Sequence, residues 1–274
     1  MSDFLRSMTV ASRIRAEGVR EKRGETELIS RAKTAPPPLG LELSSEGFDL
    51  IAEAKLASPS EGRLAADGED EKTVVGLARE LQEAGAASLS VLTEPGRFAG
   101  DIAHLESVAA VARVPVMRKD FLVDPIQVLE ARAAGASGVL LIARIVEPRL
   151  LVEMTDLALD LGMFALVELF GEADLEPASH VFDRSVLLGV NARDLTTLQV
   201  DRKRHSLMAG LLPGHLALVA ESGILEADDA RRVAGLGYRL ALVGTSLVSS
   251  SSPRDLAAEM IEAGRAAVGV RGAR

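Results

Sequence analysis

The sequence predicts an α/β protein that folds as a single (β/α)8 TIM barrel with an N-terminal helical extension. From Phe48 onward, short apolar runs alternate with stretches of helical periodicity. Each pair spans about 20–30 residues, which is typical of parallel strands joined by crossover helices. There are eight such pairs, the number that closes a barrel. The length of 274 residues suits this fold, which commonly takes about 250.

The eight predicted strands are mostly apolar, as strands buried on both faces should be. They cover residues 48–55, 88–93, 115–120, 138–143, 164–169, 186–192, 217–222 and 240–245. Helical periodicity marks residues 71–84, 125–134, 148–161, 227–234 and 253–267, and the helical pattern after Val200 is the weakest. Prolines at 125, 148 and 253 begin helices, and glycines at 85, 135, 162 and 237 end them.

Residues 1–46 form the predicted extension, and residues 47–270 form the barrel domain that carries the chemistry. Charged and apolar residues mix at helical spacing between Arg13 and Ala32, and the prolines at 36–38 end the pattern. A disordered leader is the alternative for this segment. Packing on the barrel is favoured because Leu28, Ile29 and Leu41 need cover.

An open doubly wound sheet is the alternative fold. It would normally carry a phosphate-binding loop after its first strand. Residues 53–58 read Glu-Ala-Lys-Leu-Ala-Ser, without GxGxxG or GxxxxGK spacing, so the barrel is favoured.

Composition excludes several classes of function. The net charge of −9, the 3% aromatic content and the lack of Trp argue against nucleic-acid and anionic-membrane partners. The lack of Cys excludes a thiolate nucleophile, and no His lies at a predicted strand end, so we expect no metal and no cofactor. Neither a signal-peptide core nor a membrane-spanning apolar run is present, so we expect a cytoplasmic monomer or weak homodimer.

Charged residues gather at the downstream ends of the predicted strands. Glu53 and Lys55 end the first strand and, being two residues apart, lie on one face of it. Lys119, Glu168 and Glu221 end the third, fifth and seventh strands. The upstream ends are mostly apolar, which argues against a set of independent solvated ion pairs. In a parallel barrel these ends converge on one mouth, so the pattern predicts an active site there.

The residue types at this mouth predict acid–base chemistry on an anionic small molecule. Grouped lysines and glutamates shift one another's pKa values, so an ammonium can serve as general acid and a carboxylate as general base. Ser222-Gly223 and Gly244-Thr245 follow the seventh and eighth strands, where barrels often bind phosphate, and Lys55 can supply charge. The predicted substrate is a phosphorylated, carbonyl-bearing small molecule.

The segments that carry this pattern resemble the indole-3-glycerol phosphate synthase family from about residue 48 to 248. NARDL at 191–195 and AESGI at 220–224 are two of the matching motifs. The others are IAEAKLASPSEG at 51–62, SVLTEPGRFAG at 90–100, PVMRKDFLVDP at 115–125, and residues 130–142 and 166–168. No single motif is specific, but the set is.

The resemblance implies a carboxy-lyase of tryptophan biosynthesis. It would close the ring of 1-(2-carboxyphenylamino)-1-deoxyribulose 5-phosphate and release CO₂ and water. By the same resemblance Lys119 is the general acid, Glu168 is the base of the dehydration, and Glu53 orients Lys119 and Lys55. Lys55 contacts the substrate's anionic groups and can share proton transfer.

The resemblance also implies the substrate-binding residues. Asn191 holds substrate hydroxyls, Arg193 faces the anthranilate carboxylate, and Glu221 and Ser222 complete the polar wall. The phosphate site is implied to comprise Ser58, Gly223, Gly244 and Thr245. The apolar ring pocket is implied to comprise Phe98, Phe121, Leu140, Ile142, Leu166, Leu195 and Leu198, which are equally suited to the core.

The sequence departs from the family pattern in the loop after the first strand. Leu56 and Glu61 stand where the family usually has Arg and Lys, and Ala192 replaces an Asn. This loss of positive charge leaves open a paralogue for a substituted anthranilate or another phosphosugar. A phosphosugar isomerase and a non-catalytic scaffold are further alternatives, although no catalytic position is missing. We also hypothesise that residues 60–62 belong to a mobile lid.

Overall fold

A closed barrel of eight parallel strands dominates the computed structural model, which describes residues 2–58, 62–63 and 70–272. The strands are β1 (Asp49–Ala54), β4 (Ser88–Leu92), β5 (Val116–Lys119), β6 (Gly138–Ile142), β7 (Phe164–Leu169), β8 (Leu187–Asn191), β9 (Ala217–Glu221) and β10 (Leu240–Val243). The strand order around the barrel is β1-β10-β9-β8-β7-β6-β5-β4, and β4 pairs with β1 to close it. The short β2 (Ala57–Ser58) and β3 (Gly62–Arg63) pair antiparallel beside the barrel. The predicted barrel is confirmed.

Helices cover the barrel and precede it. They are α1 (Asp3–Arg23), α2 (Glu25–Thr34), α3 (Asp70–Glu83), α4 (Pro95–Phe98), α5 (Ile102–Ala109), α6 (Pro125–Ala133), α7 (Pro148–Asp160), α8 (Leu175–Ser179), α9 (Lys203–Ala209), α10 (Ala227–Leu236), α11 (Thr245–Val248) and α12 (Pro253–Gly272). The weak pattern after Val200 is the seven-residue helix α9. In the part of the chain described, every helix is too short or too polar to cross a membrane.

Each strand separates two layers of core because its side chains alternate in direction. On β1, Ala52 and Ala54 pack outward against the helices, while Ile51 packs into the barrel interior. The same alternation continues past the strand, so Leu56 joins the outer core and is 2% exposed. The side chain of Leu56 therefore faces away from the mouth and does not line it. Glu61 lies outside the described residues, as do residues 60–61 of the hypothesised lid.

The N-terminal extension packs on the barrel. Ala16 of α1 and Leu28 of α2 contact Ile126 and Leu129 of α6 in a separate apolar cluster. Helix α1 begins at Asp3, about ten residues before the predicted start, because Ser2 caps it by accepting a hydrogen bond from the Leu5 amide.

Polar contacts fix α1 above the carboxyl ends of the strands. Arg15 Nη2 donates to Asp120 Oδ1 at 2.6 Å, and Arg20 Nη2 donates to Asp124 Oδ1 at 2.8 Å. Both carboxylates lie just after β5, so the first helix of the chain is tied to the mouth of the barrel.

One buried charge lies at the opposite, amino end of the barrel. Asp49 of β1 is 2% exposed and accepts hydrogen bonds from the Ser44 amide at 2.7 Å and Arg265 Nη2 at 2.9 Å. The upstream strand ends looked apolar in the sequence, and Asp49 is the exception. It joins β1 to α12 and to the segment before the barrel.

We predict that Asp49→Ala lowers the free energy of unfolding by about 2–3 kcal/mol, because it leaves the Ser44 amide and Arg265 without their buried acceptor. Urea unfolding measures the change. Glu46→Ala is the control, since Glu46 also pairs with Arg265 but its side chain is 62% exposed. Its effect should stay within about 0.5 kcal/mol. Equal losses in the two variants would contradict the prediction.

Candidate active site

The carboxyl ends of the strands open into a cavity of about 380 Å³. Among the residues named from the sequence, those that line it are Glu53, Lys55, Phe98, Lys119, Phe121, Leu140, Ile142, Glu168, Asn191, Arg193, Leu195, Leu198, Glu221, Ser222, Gly223, Gly244 and Thr245. The side chain of Ser58 lies outside the described residues. Leu166 is fully buried in the barrel interior and does not line the cavity. The charged residues at the strand ends therefore lie together around one cavity, where the sequence predicts them.

Glu53 binds both cavity lysines at once. Its Oε1 lies 3.2 Å from Lys55 Nζ, and its Oε2 lies 3.9 Å from Lys119 Nζ. Burial would raise the pKa of Glu53, but Lys55 and Lys119 outweigh burial and lower it. Glu53 is thus ionised at neutral pH. A side chain at Gly244, on the neighbouring strand end, would collide with it.

Lys119 is surrounded by carboxylates. Burial alone would lower the pKa of Lys119, but the charges of Glu168, Glu53 and Glu221 raise it above the usual lysine value. The ammonium therefore stays protonated at neutral pH. Only this protonated form can donate a hydrogen bond or a proton to a group in the cavity.

Glu168 and Asn191 form the facing wall. Asn191 Nδ2 donates to Glu168 Oε1 at 2.5 Å, and Asn191 Oδ1 accepts from the Arg193 amide at 2.9 Å. Burial raises the pKa of Glu168, and Lys119 and Asn191 offset only part of that rise. A carboxyl whose pKa moves toward neutrality can exchange a proton at physiological pH.

Glu221 lies next to Asn191 in the sheet and is 1% exposed. Within the described part of the chain neither of its carboxylate oxygens has a hydrogen-bond partner. Burial and the charge of Glu168 raise its pKa well above the usual value. The carboxylate fits only because residue 189 is glycine, since a Cβ there would collide with Glu221. An unpartnered carboxyl group in this position is ready for a ligand hydroxyl.

The loops after β9 and β10 form a small cradle. Ser222 and Gly223 both have positive φ, at 63° and 74°, which turns the chain sharply after β9. Gly244 precedes α11, and Thr245 Oγ1 accepts a hydrogen bond from Lys55 Nζ at 2.6 Å. A backbone turn of this kind beside an ammonium suits a phosphate group.

An apolar wall lies across the cavity from the cradle-forming loops. Phe98 and Phe121 are stacked obliquely, with ring centroids 6.3 Å apart, and Phe4 meets Phe121 edge-on at 6.0 Å. Leu140 and Ile142 of β6 also line the cavity. A flat aromatic ring fits such a wall.

Sequence reasoning missed two kinds of lining residue. Phe4 comes from α1, and its signal was the apolar spacing of Phe4, Leu5 and Met8, which we did not assign to a helix. Arg202 lines the cavity from the segment before α9. It sits ten residues beyond a strand end, so the strand-end rule could not find it.

Comparison with known proteins decides the family. A model of the indole-3-glycerol phosphate synthase family matches residues 15–260. The chain belongs to this family. The indole-3-glycerol phosphate synthase of Mycobacterium ulcerans is 43% identical over 243 residues, which cover 88% of this chain and 87% of that protein. The Mycolicibacterium smegmatis protein of the same name is 43% identical over 240 residues, covering 87% of this chain and 86% of that one.

Solved structures outside the indole-3-glycerol phosphate synthase family share the fold. Yersinia pestis dihydropteroate synthase has a TM-score of 0.62 at 14% identity, covering 88% of this chain and 100% of that chain. Salmonella typhimurium 3-hexulose-6-phosphate synthase has a TM-score of 0.63 at 12% identity, covering 79% and 98%. At such identities the likeness shows the barrel alone. The family match, which begins at residue 15, reaches into α1, beyond the motifs recognised in the sequence.

We predict that Glu221→Gln stabilises the fold near pH 8 and not near pH 4. The folded-state pKa of Glu221 is raised, so its favourable contribution is present below the unfolded value of about 4.3 and is lost as pH rises through the folded value. Glutamine does not ionise and escapes that loss. A rise in melting temperature of about 2–4 °C at pH 8 would correspond to about 1 kcal/mol.

Glu153→Gln is the matched control for this experiment, since it removes the same charge from an exposed position on α7. Its melting temperature should follow the parent protein at both pH values. A melting temperature at pH 8 that is lower for Glu221→Gln than for the parent protein would contradict the prediction.

Proposed function

We propose that this protein converts 1-(2-carboxyphenylamino)-1-deoxyribulose 5-phosphate to indole-3-glycerol phosphate, the carboxy-lyase step in tryptophan biosynthesis that gives its family its name. The observation that carries the proposal is the carboxylate of Glu53 between two ammonium groups, with a cradle for phosphate on one side and an apolar wall on the other. Family membership supplies the reaction, and this arrangement matches what the reaction needs.

The substrate has three parts that suit three regions of the cavity. Its phosphate fits the cradle of Ser222, Gly223, Gly244 and Thr245, with Lys55 beside it. Its flat benzoate ring fits the apolar wall. Arg193 lines the remaining side, where its side chain donates to the Leu198 carbonyl at 3.0 Å, and we assign it the ring carboxylate.

Ring closure begins when the ring carbon that bears the carboxylate attacks the ribulose carbonyl carbon. Lys119 gives its proton to the carbonyl oxygen, which becomes a hydroxyl as the carbon–carbon bond forms. The carbon–carboxylate bond then breaks, CO₂ leaves, and its electron pair restores the aromatic ring. Glu53 keeps Lys119 charged and directed into the cavity before this step.

Dehydration completes the indole. Lys55 gives a proton to the new hydroxyl, which leaves as water, and Glu168 removes the carbon-bound proton whose loss forms the second double bond of the five-membered ring. Asn191 holds the Glu168 carboxylate in place. Asn191 and Glu221 are also assigned to the substrate hydroxyls, for which the unpartnered Glu221 carboxyl is available.

We predict that the purified protein produces an indole fluorescence signal from this substrate, and that Lys119→Ala lowers kcat by at least about 10². The protein contains no Trp, so its own emission is low and product is easily seen. Lys203→Ala, which removes an exposed lysine on α9, should keep the parent rate. No signal from folded protein would overturn the proposed function, and a fully active Lys119→Ala protein would overturn the assignment of the acid.

We predict that kcat falls at acidic pH with an apparent pKa above the ordinary glutamate value of about 4.3. Glu168 must be ionised to act as a base, and its pKa is raised in the fold, so its basic form is lost as pH falls through that raised value. The measurement is kcat rather than kcat/KM, because the free substrate phosphate titrates near pH 6.

Asp174→Asn tests the origin of this fall in kcat, the acidic limb of the pH–rate profile. The Asp174 carboxylate contributes to the raised pKa of Glu168, so its loss should move the limb to lower pH. Asp183→Asn, in which the lost carboxylate was 80% exposed, should leave the limb unchanged. A parent limb at or below the ordinary glutamate value would remove Glu168 from the role of base.

A further inference from the structure

Arg202 is a cation at the edge of the cavity that no strand-end motif explains. It lies between β8 and α9 and lines the cavity with Lys55, Lys119 and Arg193. Lys55 and Lys119 are already bound to Glu53. Arg202 instead pairs with Asp229, which does not line the cavity.

The side chain of Arg202 lies directly against the cradle. A Cβ at Gly223 would be 3.3 Å from Arg202 Cγ and 3.7 Å from Arg202 Nε. Glycine suits residue 223 because its φ is 74° and because a Cβ would collide with Val200 Cγ1 at 2.7 Å and crowd Arg202. The aliphatic part of the Arg202 side chain thus packs beside the turn at Gly223, where the phosphate is proposed to bind.

Asp229 fixes the direction of that stem. Arg202 Nη1 lies 2.7 Å from Asp229 Oδ1, whose side chain is 5% exposed. Asp229 Oδ2 in turn accepts from the Leu225 amide at 3.0 Å, in the loop that follows Gly223. The same carboxylate therefore ties the loop and the arginine together. This contact orders a long side chain before any ligand arrives, which reduces the entropy lost on binding.

We propose that Arg202 is a further substrate-binding residue, which donates to a phosphate oxygen at the rim of the cradle. This deepens the proposed function and rests on it for the identity of the phosphate. A guanidinium has five N–H donors in a planar fork that suits phosphate, and the pair with Asp229 involves one nitrogen, Nη1.

Charge supports the same assignment. The ammonium of Lys55 pairs with Glu53 at 3.2 Å and donates to Thr245 at 2.6 Å, so two of its three N–H donors are already engaged. Leu56 cannot help, because its apolar side chain faces the outer core. Arg202 adds a second cation beside the cradle from a different loop, and the Asp229 carboxylate that pairs with it is shared with Arg232, whose Nε lies 3.8 Å from the same oxygen.

Two substitutions test the inference. Arg202→Gln keeps the stem on Gly223 and removes the charge, and Arg231→Gln removes the same charge from an exposed position on α10 where Arg231 pairs with Asp228. In Arg202→Gln we expect KM to rise about fivefold to tenfold with kcat nearly unchanged, a modest effect because the Arg202 side chain is 46% exposed. Arg231→Gln should match the parent protein.

Direct binding separates this inference from the proposed function. Calorimetric titration with inorganic phosphate and with anthranilate uses no turnover. We expect Arg202→Gln to weaken phosphate binding about fivefold to tenfold and to leave anthranilate binding unchanged. If the protein lacks synthase activity but shows this difference, the proposed reaction fails and the anion site stands.

Three results would overturn the inference. Phosphate binding equal in Arg202→Gln and the parent protein would remove the contact. Phosphate binding weakened equally in Arg202→Gln and Arg231→Gln would show that the effect comes from long-range charge and not from a contact. Weakened binding of anthranilate alone would assign Arg202 to the carboxylate end of the cavity. Arg202→Lys adds a positive check, since it keeps the charge and should recover part of the phosphate affinity.

Discussion

The bridge from Glu53 to Lys55 and Lys119 is the interaction on which the rest of the site depends. Burying one carboxylate and two ammonium groups is unfavourable unless each charge is matched. The carboxylates of Glu168 and Glu221 supply the remaining negative charge, and their own burial raises their pKa values. One cavity therefore contains a lysine that keeps its proton at neutral pH and two glutamates that hold a proton more tightly than an exposed glutamate does.

The barrel makes this arrangement possible by geometry. Parallel strands deliver their last inward side chains to one ring, and glycine at 189 and 244 leaves the volume that Glu221 and Glu53 occupy. The apolar layers beneath, such as Ile51 and Leu166, keep water from the lower faces of these charges. Stability and chemistry thus use opposite ends of the same strands, as the buried Asp49 at the amino end illustrates.

Strand-end position explains what the sequence could predict. Glu53, Lys119, Glu168 and Glu221 could be found because each ends an apolar run, and period 2 fixes the face on which it lies. The same alternation, continued from Lys55 to residue 56, predicts that the side chain of Leu56 faces away from the cavity. Phe4 and Arg202 could not be found that way, since one belongs to a helix before the barrel and the other to a connecting loop. Their positions depend on how distant segments pack.

The docking of α1 has a consequence for the order in which the protein is made. Arg15 leaves the ribosome early, but its partner Asp120 follows 105 residues later, and Thr245 completes the cradle 190 residues after Lys55. Contacts so far apart in sequence form late in folding. The first helix must therefore wait, without its binding surface, until α6 has been synthesised. An incomplete chain lacks Thr245, the partner of Lys55, so the cavity is complete only when the last strand closes the ring.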